Sequence, residues 1–399
     1  MSNNNTTGNT TAAAAPVLPA AGTNPSAAES PAQAAVETDH DNNDDDFLAA
    51  EEDTDDGESV RQESVYSSST SVNSSILEYR EENGRTYHKY KDGSKYRSTP
   101  SSVCPRPNAP TRIVHVLTTK AEYNAPNDER ELDRLELQHN LIMRTFDGRL
   151  GTAPPNDPGA KVGRVLDVGT GTGIWAIEFG DEHPEADVLG VDLSAVQSKF
   201  VPPNVRFEID DIEEPWERPQ PFDYIHSRIM TGSIRDWRRY LENCFENLSP
   251  GGYLELNDVD VVPVSDDGTL TEETSLLQSV RLWCEALENL GSPFEEFSRL
   301  KDVLIDIGFE DVHIQRFKWP TNSWPKDPKY KELGMWNYEN LAPNWEGLLM
   351  AGLTRGLDWS KEEVLILAMN ARKDFGNRSI HGYFNFWSIY GRKPLEKAE

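Results

Sequence analysis

The most constraining feature of this chain is the run Arg164-Val165-Leu166-Asp167-Val168-Gly169-Thr170-Gly171-Thr172-Gly173, where an apolar strand meets three glycines and then the helical stretch IWAIEFGDEH. Glycines after a strand allow a tight turn and let backbone N–H groups approach a ligand; the helix N-terminus behind them favours an anionic group. Strand, glycine turn and helix in that order open an open α/β sheet. Dinucleotide sites use Gly-x-Gly-x-x-Gly, but Ile174 stands where the third glycine would fall, so the spacing speaks against NAD.

The same alternation continues downstream. DVLGVDLS, VRFEIDD, FDYIHSR and GGYLELNDVD read as further strands, with DWRRYLENCFENL as a helix between the last two. FEEFSRLKDVLIDIGFEDVHIQRFKWP adds a helix ending in Gly308 and a sixth strand, and GYFNFWSIYGRKP a seventh. The expected fold class is α/β and Rossmann-like: a seven-stranded, mostly parallel sheet whose last strand runs antiparallel. Segments 261–294 and 320–380 interrupt it, are rich in Trp, Leu and Glu, and read as helical insertions at strand ends where ligands of such sheets are approached. They are expected to form a substrate lid. Trp319, Trp324, Trp336, Trp345 and Trp359 concentrate there, either packing the lid or clasping a flat hydrophobic substrate.

Acids recur at the strand ends. Asp167, two residues before Gly169, can hold a cationic amino group beside the turn Gly169-Thr170-Gly171 and Gly173. Asp192, followed by Leu193, ends the second strand, where a carboxylate can accept hydrogen bonds from two vicinal ribose hydroxyls. Asp211 and Ile212 follow the third, placed for the amino group and ring of an adenine. Each acid alone could simply cap a helix or make a turn. In register behind a glycine loop they indicate an adenosine cofactor bearing an amino acid. His226, at the end of the fourth strand, is the candidate catalytic base; the alternative is a histidine that only packs or bonds to cofactor or lid. Arg228 could bind an anionic substrate but is expected to pair with a pocket carboxylate, and Asn257 and Asp258 close the fifth strand without an Asn-Pro-Pro-Tyr element.

Charge narrows the partners. The formal net charge is -29, and residues 1–64 hold fourteen acids against the single Arg61. Such a chain repels phosphate backbones, so no direct nucleic-acid binding is expected. Residues 1–75 lack the apolar area to offset ordering entropy and are expected to be a disordered, solubilising or partner-docking tail. Cys104, Cys244 and Cys284 are far apart, which suggests neither a disulfide framework nor a metal cluster, and so an intracellular setting, cytoplasm or nucleus. No secretion signal or membrane-spanning stretch is read in the sequence. Residues 76–160 are expected to pack on the core: Tyr79, Tyr87, Tyr90 and Tyr96 surround the turns Asn83-Gly84 and Asp92-Gly93, and a later helix carries Leu132, Leu135, Ile142 and Met143 behind an Asn127 or Asp128 cap.

VLDVGTGTGIWAIEFGDEHP, GVDLSAVQ, FDYIHSR, GSIRDWRRYLENCFENLSPGGYLEL and the closing YGRKP, with ENGRTYHKYKDG and DRLELQHN ahead of them, resemble the fungal LaeA-like methyltransferase family over about residues 79–394. The resemblance implies a class I methyltransferase domain at 161–394, with S-adenosylmethionine as cofactor and a small molecule or protein of fungal secondary metabolism as methyl acceptor. The alternative it implies is a regulator acting mainly through protein contacts with a retained cofactor site. Carried onto this chain, the glycine loop with Asp167 would hold the methionine end, Asp192 the ribose, and Asp211 with Ile212 the adenine.

Overall fold

Asn83 and Gly84 both sit at positive φ, 55° and 84°, as a two-residue hairpin turn requires, and they join β1 (Tyr79–Glu82) to β2 (Arg85–His88). The structure, a computed structural model, describes residues 79–88 and 125–395 except 199 and 217. The acidic tail expected at 1–75, Tyr90, Tyr96 and the Asp92-Gly93 turn lie outside the described residues. Arg85 reaches from the hairpin to Asp128, one of its two hydrogen bonds being 2.8 Å, and the same Asp128 caps α1 (Glu129–Thr145) by accepting from the Glu131 N–H. One carboxylate thus closes the helix and anchors the hairpin.

The sheet then unfolds in order. β3 (Arg164–Val168) leads through the glycine loop into α2 (Ile174–Glu182), followed by β4 (Asp187–Asp192), β5 (Val205–Ile209), β6 (Phe222–Arg228), α3 (Trp237–Asn247) and β7 (Leu248–Val259). After α4 (Ser275–Asn289) and α5 (Leu300–Ile307) come β8 (Glu310–Pro320), α6 (Pro328–Leu341), α7 (Trp345–Gly356), α8 (Lys361–Gly376) and β9 (Tyr383–Arg392). Strand order is β5-β4-β3-β6-β7-β9-β8, with β9 antiparallel to both neighbours and β3 to β7 mutually parallel. The expected seven-stranded, mostly parallel sheet is therefore what the chain forms. Its order reverses between β3 and β6, which puts the ligand crevice outside their carboxyl ends.

Strand period 2 sorts the core. Val165 joins Trp175, Phe179, Val188 and Tyr224 on the α2 side, while Leu166 and Val168 join Ile225, Trp237, Leu241 and Leu304 on the α3 and α5 side. Asp167 shares the parity of Val165 and emerges at the α2 side. The inserted helices build a further core of their own: Leu276, Val280, Trp345, Leu349, Val364 and Phe375 pack with Phe384 and Phe386 of β9 and with Leu141 and Ile142 of α1. Leu132 and Leu135, expected on the core face of α1, are only partly buried; the buried positions of that helix include Glu131, Arg134, Gln138 and His139. Among the described residues no helix is long and apolar enough to cross a membrane.

Candidate functional site

The glycine loop is built from left-handed residues. Gly169, Gly171 and Gly173 have φ of 67°, 56° and 81°. A Cβ on Gly169 would lie 2.3 Å from the Met230 sulfur, and one on Gly173 2.4 Å from the Phe207 ring, so at either position a side chain would add a close contact to the strain of a positive φ. The Thr170 N–H donates to the Val191 carbonyl at 3.0 Å, stitching the loop to β4, and the Gly173 N–H donates to the Thr170 carbonyl at 2.9 Å.

Asp167 is 2% exposed, and both its oxygens have protein partners: one accepts from the Thr170 hydroxyl at 2.6 Å, the other lies 2.8 Å from His226 Nδ1. β3 and β6 pair Asp167 directly with His226, which puts the two side chains on one face. The imidazole is fully buried and stacks on Trp175 with centroids 3.7 Å apart and planes 9° apart. Its Nε2 lies 3.4 Å from Asn257 Nδ2. Nδ1–H donating to Asp167 and Nε2 accepting from Asn257 is the tautomer that satisfies both contacts. Enclosed by a ring stack with both nitrogens engaged, His226 has the packing and bonding expected of the alternative to a base, and it orients Asp167.

Asp192 closes the other side of the loop. One oxygen accepts the Gly171 N–H and the other the Ser194 N–H, both at 2.9 Å, and the carboxylate stays partly exposed beside Leu193, itself partly buried. Burial pushes its pKa up to about 6, against the pull of the surrounding backbone N–H groups. The Gln197 amide, which sequence reasoning missed, donates to the Gly171 carbonyl at 2.8 Å and fixes the loop from outside. After β5, the Asp210 N–H donates to the Asp192 carbonyl at 3.1 Å, so the two strand ends adjoin. Asp211 accepts the Glu213 N–H at 3.1 Å in a turn, and the Ile212 carbonyl accepts the Trp216 indole N–H at 2.8 Å. Asp167, the glycine loop, Asp192 and the Asp211-Ile212 turn thus line up along the carboxyl edge of adjacent strands.

Arg228 departs from expectation. It donates to His139 Nδ1 at 2.9 Å, and the opposite nitrogen of His139 contacts Glu178 at 2.9 Å, so an imidazole stands between guanidinium and carboxylate. Burial lowers the His139 pKa, in keeping with a neutral ring. Asp258 is 1% exposed and accepts the N–H groups of Met230 at 2.6 Å and Thr231 at 2.9 Å, which fixes the loop after β6; burial pushes its pKa up to about 7. Glu255, in register with His226, receives the Thr152 N–H at 2.7 Å, the Ala153 N–H at 3.0 Å, the Tyr224 hydroxyl at 2.7 Å and the amides of Asn156 and Asn257, each at 3.1 Å. Apart from Asn257, two residues from Glu255, no local signal marks these partners, which lie tens of residues away along the chain.

Past the loop after β6 lies a cavity of about 120 Å³ bounded by Ile229, Thr231, Val259, α1 and the inserted helices. Trp319 and Trp345 line it, as does Trp283, which the sequence reading did not single out, whereas Trp324, Trp336 and Trp359 are not among its lining residues.

A family profile described as a methyltransferase domain matches residues 137–314. The chain is 37% identical to methyltransferase pytC of Aspergillus terreus over 82% of its length and 92% of that protein's. It is 34% identical to the secondary metabolism regulator LAE1 of Cochliobolus heterostrophus, over 69% of this chain and 91% of that one. To the protein-methionine methyltransferase laeA of Emericella nidulans it is 32% identical, over 82% and 79% of the two chains.

Proposed function

This chain belongs to the LaeA-like family of fungal methyltransferases, and from that premise we propose that it uses S-adenosylmethionine bound along the carboxyl edge of β3, β4 and β5. The observation that carries this reading is the Asp192 carboxylate bonded to the Gly171 N–H, a hydroxyl-binding acid held against a glycine loop whose positive φ disfavours side chains. In the proposal, Gly169 to Gly173 and the anchored Asp167 receive the amino-acid end, Asp192 and Leu193 the ribose, and Asp211 and Ile212 the adenine. The cofactor's chemistry is an electrophilic methyl on a sulfonium. What remains for the protein is alignment and exclusion of water, which the lid and the Asp258-fixed loop supply. The acceptor, small molecule or protein, enters the cavity under the lid. Names of relatives place the reaction in fungal secondary metabolism, with the regulators among them supporting a second, protein-contact role.

Two measurements test it. Asp192→Ala is expected to weaken S-adenosylmethionine binding by about 1.5 to 3 kcal/mol in calorimetry, the range for a hydrogen bond to a charged group. Binding should also weaken as pH falls through about 6, because protonation removes the acceptor charge. The sign differs from that of stability: a carboxylate raised above its ordinary 3.8 favours the fold most below that value, and this contribution is lost as pH rises through the raised one. Acid loss of binding by this group is therefore not unfolding. Asp192→Asn should flatten the profile, and a profile unchanged in that variant would point to Asp258. Labelled cofactor incubated with a host extract then separates the roles: label moving to metabolites or protein supports transfer, and label moving nowhere favours the regulator.

A further inference from the structure

Arg228, the last residue of β6, is a cation without an anion among the described residues. Its one hydrogen bond there runs from Nη1 to His139 Nδ1, and no described carboxylate pairs with it. His139, 2% exposed and with its pKa lowered by burial, donates its other ring N–H to Glu178 as a neutral imidazole, so it brings no charge to the guanidinium. Burial also lowers the Arg228 pKa, against the through-space pull of Asp167 and Glu178. An enclosed charge without a counter-charge is costly, so one kept there calls for an anion that arrives from outside. The way to it is open. Arg228 is partly exposed, and Nε and Nη2, which bond to nothing among the described residues, are not shut off from water.

Position says which anion. Asp167 pairs with His226 across β3 and β6, and side chains two apart on a strand share a face, so Arg228 stands on the Asp167 face, one step further toward the carboxyl edge. α1 crosses the same place: Leu135 Cδ1 would be the nearest neighbour of a Cβ on Gly171, at 3.6 Å, and His139 follows one turn later on that helix. An amino acid carries its ammonium and its carboxylate on one carbon. A ligand that sets the first against Asp167 therefore brings the second to a cation on the same face. The glycine loop has few donors to spare for it, because the N–H groups of Thr170, Gly171 and Gly173 are spent on the Val191 carbonyl, the Asp192 carboxylate and the Thr170 carbonyl. Arg228 keeps two nitrogens of a planar fork that suits a carboxylate.

We propose that Arg228, held in place by His139, binds the α-carboxylate of the cofactor's amino-acid end while Asp167 takes the ammonium. This rests on the S-adenosylmethionine reading of the site and adds the residue that makes it select a zwitterion. The test is calorimetry on the full chain with S-adenosylhomocysteine and with the same molecule lacking its carboxylate. The wild type should bind the first about tenfold tighter or more, the size of a hydrogen bond between charged groups. Arg228→Gln keeps a neutral N–H donor and removes the charge. It should lose at least tenfold for S-adenosylhomocysteine, change less than threefold for the decarboxylated ligand, and so abolish the preference; Arg228→Lys, which restores the charge, should recover part of it. Equal losses for both ligands would mean that Arg228 only supports the pocket, and no loss would mean that the loop or the N-terminus of α2 holds the carboxylate; either overturns the proposal. If neither variant folds, a crystal structure of the unaltered chain with S-adenosylhomocysteine decides it, a carboxylate on the guanidinium supporting the proposal and a carboxylate elsewhere overturning it. S-adenosylhomocysteine that fails to bind the wild type at all overturns the cofactor reading itself, and the proposal with it.

Discussion

Glu255→Ala is expected to lower the melting temperature by roughly 10 °C, because it removes the acceptor around which the middle of the sheet and the 152–156 segment are joined. Glu255 is 0% exposed, and the Thr152 and Ala153 N–H groups and the Asn156 and Asn257 amides that face it can only donate. Each donor left buried and unpaired costs about 1–3 kcal/mol, and breaking a buried polar cluster at one member typically costs about 3–5 kcal/mol in all. At about 2–4 °C per kcal/mol for a domain of this size, a loss near 4 kcal/mol gives the stated shift. Tyr224, whose hydroxyl burial and Glu255 hold well above its ordinary pKa, stays protonated and keeps donating, so raising the pH should not mimic the variant. Glu255→Gln should fall between the two, since its NH₂ must oppose at least one donor. A melting shift under 3 °C for the alanine variant would mean that water enters and takes over the acceptor's place.

What could be read in the sequence was what a local pattern encodes. β3 and β4 are buried almost along their whole length, so their sequences are apolar runs broken by glycine or acid at the carboxyl end, and Asp167, Asp192 and, after the edge strand β5, the Asp211-Ile212 turn were placed along that edge from this pattern. The Asp128 cap of α1 was legible for the same reason. The role of His226 was not. Its position at the end of β6 was evident, but its partner Asp167 lies 59 residues away and Trp175 stacks on it from α2. Only the pairing of β6 beside β3 shows that the imidazole is enclosed. α1 misleads in a related way. Hydrophobic periodicity singles out Leu132 and Leu135, yet the helix buries Arg134 through Glu131 at 2.8 Å and Asn340 at 2.8 Å, a contact with α6 206 positions along the chain. Polar residues can be buried where they satisfy one another, and a sequence does not announce such partners.

Gly173→Ala is expected to cost the protein its cofactor, with affinity for S-adenosylhomocysteine falling by two orders of magnitude or more. At φ 81° an alanine adopts a left-handed backbone, which costs about 1–2 kcal/mol. The new Cβ would lie 2.4 Å from Cζ of Phe207, whose ring already packs closely over Gly190 of β4. Overpacking of this kind adds about 1–3 kcal/mol, and the structure relieves it by shifting the loop. A shifted loop breaks the 2.9 Å bond from the Gly171 N–H to Asp192, which the proposed ribose site depends on. Gly171→Ala provides the internal comparison. Its φ of 56° carries the backbone cost, but the nearest atom to its Cβ would be Leu135 Cδ1 at 3.6 Å, an ordinary contact. That variant should therefore lose only about tenfold, in line with the backbone cost alone. If calorimetry finds the two variants equally impaired, the Phe207 clash is not what sets the loop, and backbone strain accounts for both.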